Sequence, residues 1–96
     1  MSLEKDPDAF YNKLKSQLIE TSEWPTEYLY KFIVSSDIHK IAEIEAVFNN
    51  MGAVINTKES RNGKYTSVSV NVRMKTPDDV IEKYKEVGKI EGVISL

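Results

Sequence analysis

The chain has 96 residues, 41% of them apolar and 29% charged, with a formal charge of −2 and no cysteine. That length holds one domain with its own core, and the balance is too apolar for a disordered chain. The lack of cysteine excludes a disulfide framework, thiolate catalysis and cysteine-ligated zinc or iron–sulfur sites, so packing has to supply the stability.

Asp6-Pro7-Asp8 has the character of a helix start: an acceptor for free backbone donors, a proline suited to the first helical position, and an acid at the positive end of the dipole. Phe10, Leu14 and Leu18 follow at four-residue spacing, widened by Tyr11 and Ile19, which predicts an amphipathic helix from Pro7 to about Ile19. Trp24-Pro25 closes the linker after it, because the residue before proline is pushed out of helical geometry. The aromatic and β-branched run Tyr28 to Ser35 predicts a strand, with Tyr30, Phe32 and Val34 on one face and Leu29, Lys31 and Ile33 on the other. Ser36 or Asp37 then caps a helix whose apolar stripe is Ile41, Ile44, Phe48 and Met51, and Gly52 stops it.

Two extended runs, Ala53 to Arg61 and Lys64 to Met74, flank Asn62-Gly63, the strongest short hairpin signal because both turn residues would take positive φ. Counting outward from that corner pairs Ser60 with Tyr65 and assigns the faces. Val68, Val70, Val72 and Met74 share one with Ile55 and Thr57, while Tyr65, Ser67, Ser69, Asn71 and Arg73 share the other with Ser60, Lys58 and Asn56. Thr76-Pro77-Asp78-Asp79 starts a helix with stripe residues Val80, Ile81, Tyr84 and Val87, stopped at Gly88. A short last strand, Gly92 to Leu96, is expected to turn Ile94 and Leu96 inward. The order is βαββαβ after an opening helix, the plan of an α+β, ferredoxin-like sandwich with two helices on one face of a four-stranded antiparallel sheet.

From Trp24 to Leu96 the chain resembles the YbeD-like family of small uncharacterised bacterial proteins. The resemblance is carried by the aromatic-Pro entry Trp24-Pro25, the strand Leu29-Tyr30-Lys31-Phe32, the hairpin Ser60-Arg-Asn-Gly63-Lys-Tyr65-Thr-Ser67 and the closing segment Tyr84-Lys-Glu-Val-Gly-Lys-Ile-Glu-Gly-Val-Ile. It implies a fold like that of ACT regulatory domains and a regulatory or ligand-binding role, with no established activity. It also implies a division into an opening helix and linker (residues 1–23) and a domain (24–96). Trp24 stands where phenylalanine is usual, Ser35 where glycine often ends the first strand, and the opening helix is an addition.

Charge is unevenly spread: Lys58, Arg61, Lys64, Arg73 and Lys75 face Glu59 alone in their segment, a local balance of +4 that leaves −6 for the rest. The open sheet face is therefore the candidate site, with Lys31, Lys58 and Arg73 beside the hydroxyls of Ser60, Tyr65 and Ser67 around Gly63, suited to a small acidic metabolite or an acidic protein partner. The plainer reading is a solvated polar face. Leu29, Ile33, Val54 and Val93 would project there too and want cover, from the opening helix or from a second copy in a homodimer through the sheet. Binding of nucleic acid through the basic hairpin is the alternative, but only Tyr65 offers a ring for base stacking, and the chain as a whole is acidic. His39 is the only histidine, Asp78-Asp79 fits capping, and no nucleophile and base can be paired, so neither metal nor cofactor nor enzymatic chemistry is expected. The opening lacks the basic-then-apolar order of a signal peptide and no run reaches the ~20 apolar residues of a membrane span, so a cytoplasmic location is expected.

Overall fold

Strict alternation in two long strands organises the molecule. The computed structural model describes residues 7–96 as α1 (Pro7–Thr21), β1 (Thr26–Ser35), α2 (Ile38–Val47), β2 (Val54–Glu59), β3 (Tyr65–Met74), α3 (Pro77–Gly88) and β4 (Ile94–Ser95). The strands form one antiparallel sheet in the order β2-β3-β1-β4, a ferredoxin-like α+β arrangement with an additional N-terminal helix. Tyr30, Phe32 and Val34 of β1 and Val68, Val70, Val72 and Met74 of β3 are all but inaccessible to solvent and form the core with Ile44 and Phe48 from the α2 end and Val80, Ile81 and Val87 of α3. All three helices contribute to this one side, and the opposite face of the sheet is open. The Tyr30 hydroxyl, carried into the core by its ring, donates to the Val80 carbonyl at 3.1 Å, so its burial leaves no polar atom unmatched.

The helix starts follow the capping chemistry of the sequence. The Asp37 carboxylate accepts from the His39 N–H at 2.8 Å, and the Thr76 hydroxyl accepts from the Asp79 N–H at 3.1 Å. The expected cap at Asp6 lies outside the described residues. One of the two sequence-assigned helix stops shifts: α3 ends at Gly88 as expected, but α2 ends at Val47, before Asn50 and Gly52 turn the chain with positive φ.

The opening helix does not cover the open face. It lies against α3, with Leu18 buried in the core, Tyr11 and Leu14 half-buried, and the Lys15 ammonium 2.8 Å from the Asp78 carboxylate. The Trp24 indole donates to the Leu18 carbonyl at 3.1 Å, which fastens the linker to the last turns of α1. Phe10 and Ile19, which the four-residue spacing placed on the packed stripe, are exposed; the stripe that packs is Tyr11, Leu14 and Leu18.

Two expectations for the sheet need correction. The hairpin keeps the register counted from the sequence, Ile55 opposite Val70 and Lys58 opposite Ser67, but its corner is not a two-residue turn with two positive φ angles. The Gly63 N–H donates to the Ser60 carbonyl at 2.9 Å, so the turn spans Ser60 to Gly63, and only Gly63 is left-handed (φ 76°). The Asn62 carboxamide oxygen explains the change: it accepts from the Lys64 N–H and the Ser60 hydroxyl, both at 3.0 Å, while Ser60 Oγ accepts from the Tyr65 N–H. A four-residue loop and a two-residue turn centred on the same bond give the same pairing, so the faces are as expected.

The last strand has the opposite parity. Ile94 lies opposite Ile33 and Ser95 opposite Phe32, which puts Ile94 on the open face; Leu96, whose N–H donates to the Lys31 carbonyl at 2.9 Å, follows with the same parity. Val93, expected outside, packs against the core instead.

Candidate functional site

The open face can be read row by row from the strand registers. Arg73 lies opposite Glu27; Val54, Asn71 and Leu29 form the next row; then Asn56, Ser69 and Lys31; then Lys58, Ser67, Ile33 and Ile94; and Tyr65 lies opposite Ser35 at the hairpin end. Leu96 extends the Lys31 row. The face is therefore divided. Its β1–β4 half is apolar, with Leu29, Ile33, Ile94 and Leu96 around Lys31, whereas its β2–β3 half is a field of serine and asparagine bordered by Lys58 and Arg73.

Exposure shows how unusual the apolar half is. Among the described residues, eight large apolar or aromatic side chains are exposed, and five of them are on this face: Leu29 (49%), Ile94 (57%) and Leu96 (68%) in its apolar half, and Val54 (61%) and Tyr65 (53%) on β2 and β3. Single exposed apolar residues are ordinary, but a grouping on one face is not. The β4 parity adds Ile94 and Leu96 to the apolar residues expected here, and that addition could not be read from the sequence: Gly92-Val-Ile-Ser-Leu offers apolar side chains on both faces, and no pattern that short decides between them.

Of the expected site residues, Lys58, Ser60, Tyr65 and Ser67 line one shallow depression of about 210 Å³ with Ile33 and Glu59. Gly63 supplies the backbone turn beside it, and the site that a Cβ would occupy there is 3.8 Å from the Glu59 carboxylate. Lys31 sits one row away, across β3 from Asn56. Arg73 is not part of this cluster: it is six residues along β3 from Ser67, about 20 Å at 3.3–3.4 Å per residue. Among the described residues the ion pairs are Lys15–Asp78 and Lys83–Glu86, both in the helical layer, so Lys31, Lys58 and Arg73 carry charges that no carboxylate within 4 Å matches. With Glu27 and the Glu59 of the depression counted, cations still outnumber carboxylates on the open face by three to two.

The hydroxyls here serve the fold. Ser67 Oγ donates to the Lys58 carbonyl at 3.3 Å, Ser60 Oγ belongs to the turn, and His39, exposed on α2, is far from both in the chain and on the helical side. Among the described residues no group of histidine, aspartate and glutamate converges as a metal site, and no helix is long and apolar enough to cross a membrane. In the core, burial, followed for Tyr84 by its 2.7 Å hydrogen bond with Tyr28, pushes the Tyr30 and Tyr84 hydroxyls well above the ordinary tyrosine range and holds them protonated. They belong to the packing and face away from the open surface.

Residues 20–96 match a protein family described as "Protein of unknown function (DUF493)". The match begins within the last two residues of α1 and covers the whole sheet and both crossover helices. No curated protein and no solved structure matches the chain.

Proposed function

Since the chain belongs to DUF493, the YbeD family of uncharacterised proteins, for which no enzymatic activity is indicated, we propose that it is a cytoplasmic, non-enzymatic interaction domain with regulatory character whose open sheet face receives a partner protein. The observation that carries this reading is the concentration of exposed apolar side chains on that face, interleaved with unmatched cations. A sheet with one covered face normally alternates apolar inward and polar outward. Here the outward set departs from that pattern along β1 and β4, which is the signature of a surface that is covered part of the time.

The residues divide the work by chemistry. Leu29, Ile33, Ile94 and Leu96 supply desolvation, which gives an interface its affinity. Lys31 supplies charge within that apolar group and Lys58 at its border, which sets encounter rate and selects acidic partners. Ser60, Gly63, Tyr65 and Ser67 shape the hairpin depression, which has room for one side chain or a small acidic metabolite. Stacking of bases is the less favoured reading, since Tyr65 is followed on β3 by Ser67, Ser69 and Asn71 and the whole chain is acidic.

A photo-crosslinking amino acid placed at Ile94 in living cells tests the reading, with the same group at Glu45 on α2 as the control. A discrete adduct from position 94 that is absent from position 45 is expected. Equal labelling from both positions, or none from 94, would refute the assignment of this face.

A further inference from the structure

Resting on that reading of the face, we propose that its occupant is an acidic amphipathic helix of another protein, laid along β1 and β4. Shape gives the first argument. The apolar half is two strands wide, about 10 Å at 4.8 Å per strand, which is the width of one helix with its side chains. Along β1 the trough runs from Leu29 to Ile33, about 13 Å, and Ile94 and Leu96 form its second wall. About nine helical residues cover that length at 1.5 Å each.

The offered groups give the second argument. The face presents side chains, because strand donors and acceptors lie in the plane of the sheet; the unpaired backbone is at the edges, along β2, β4 and the part of β1 before Phe32, so an extended peptide would add there and leave the apolar face uncovered. A helix satisfies its own backbone and needs only an apolar surface, and it would complete a third layer on the sheet, as α1, α2 and α3 do on the other side.

Charge chooses the partner. Lys31 stands between Leu29 and Ile33 on β1, with Lys58 on the far side of β3, and neither has an ion-pair partner among the described residues. A second copy stacked face to face would oppose cations with cations across a trough, Leu29 to Ile33 with Ile94 and Leu96, that carries no acidic side chain. The chain's own first helix is also a poor occupant, because Asp8 and Glu20 are balanced by Lys13 and Lys15 and its apolar side is already spent on α3. An acidic flank on the incoming helix instead meets Lys31 and Lys58 while its apolar stripe fills the trough.

The test uses three designed 14-residue helical peptides with the whole chain: one with a leucine stripe and a glutamate flank, the same stripe with a lysine flank, and a scrambled version of the first. Binding is read by fluorescence anisotropy at two salt concentrations and mapped by amide chemical shifts. The acidic peptide is expected to bind best, to weaken as salt rises, to shift Leu29, Ile33, Ile94 and Leu96, and to lose about tenfold in affinity on Lys31→Glu. Equal binding of the lysine peptide, shifts confined to α1–α3, or no binding at millimolar peptide would overturn the proposal. A concentration-dependent rise to twice the monomer mass, abolished by Leu29→Asp, would overturn it in favour of a second copy. Failure here with a discrete adduct still formed from position 94 removes the helix alone; failure of both removes the face.

Discussion

Tyr30 shows how a single side chain ties the two layers together. Its ring packs edge-on against Tyr28 and Tyr84, 4.8 and 4.9 Å between centroids, and tilts against Phe48, while its hydroxyl reaches Val80 on α3. Burial raises the folded-state pKa of Tyr30 and Tyr84 above the unfolded value of about 10. The folded chain therefore keeps protons that the unfolded chain releases. The stability this represents is complete below about pH 10 and drains away as pH rises toward the folded-state values. Titration followed by phenolate absorbance and circular dichroism together should show these two tyrosines ionising only as the fold opens. Their ionisation with the dichroism unchanged would contradict the burial argument. The core positions were readable in advance because β1 and β3 alternate without a break, so Tyr30, Phe32, Val68 and Val70 had only one inward parity available. The corner residue Asn62 was not, since its backbone could take positive φ or its side-chain oxygen could accept from Lys64 and Ser60, and the two outcomes leave the same register.

Among the elements, β4 is where sequence reasoning met its limit. Long elements average over many residues, so the capped helix Pro77–Gly88 and the ten-residue strands β1 and β3 were identified within a few positions. A two-residue strand averages over nothing. Its parity was decided by tertiary pairing with Ile33, and with it the placing of three apolar side chains. The consequence is measurable: Val93→Asp should destabilise the fold by about 1–3 kcal/mol by putting a charge against the core, and Ile94→Asp should change it by less than about 0.5 kcal/mol. Chemical denaturation of both variants checks the order, and the reverse order would restore the parity expected from the sequence. Helix α1 is the other element whose place could not be read. Its stripe is broad enough to begin at Phe10 or at Tyr11, and only packing on α3, with Lys15 at Asp78 and the Lys85 ammonium 5.5 Å from the Tyr11 ring, selects the second.

At the scale of the whole molecule, a two-layer sandwich has one face to spare, and the question is whether that face is merely solvated. The alternation of β1 put Lys31 on this side and the hairpin register put Lys58, Arg73 and the hydroxyls there, yet in the sequence they read as one cluster, because parity tells which side a residue occupies and not how far along the strand two residues stand. Arg73 and Lys58 share the face at opposite ends. Leu29, Ile33 and Val54 were expected on this face and in want of cover, whereas Ile94 and Leu96 were not, because the parity of β4 is set by its pairing with Ile33. Substitution of Leu29 by aspartate separates a structural role for that half from a recognition role most directly, with thermal unfolding and photo-crosslinking from position 94 measured on the same variant. Because Leu29 is half exposed and no element covers it, the melting temperature should move by less than about 4 °C while the adduct disappears. A fall of more than about 10 °C with the adduct intact would mean that the Leu29 side chain serves the fold and takes no part in recognition, which contradicts the role assigned to the apolar half.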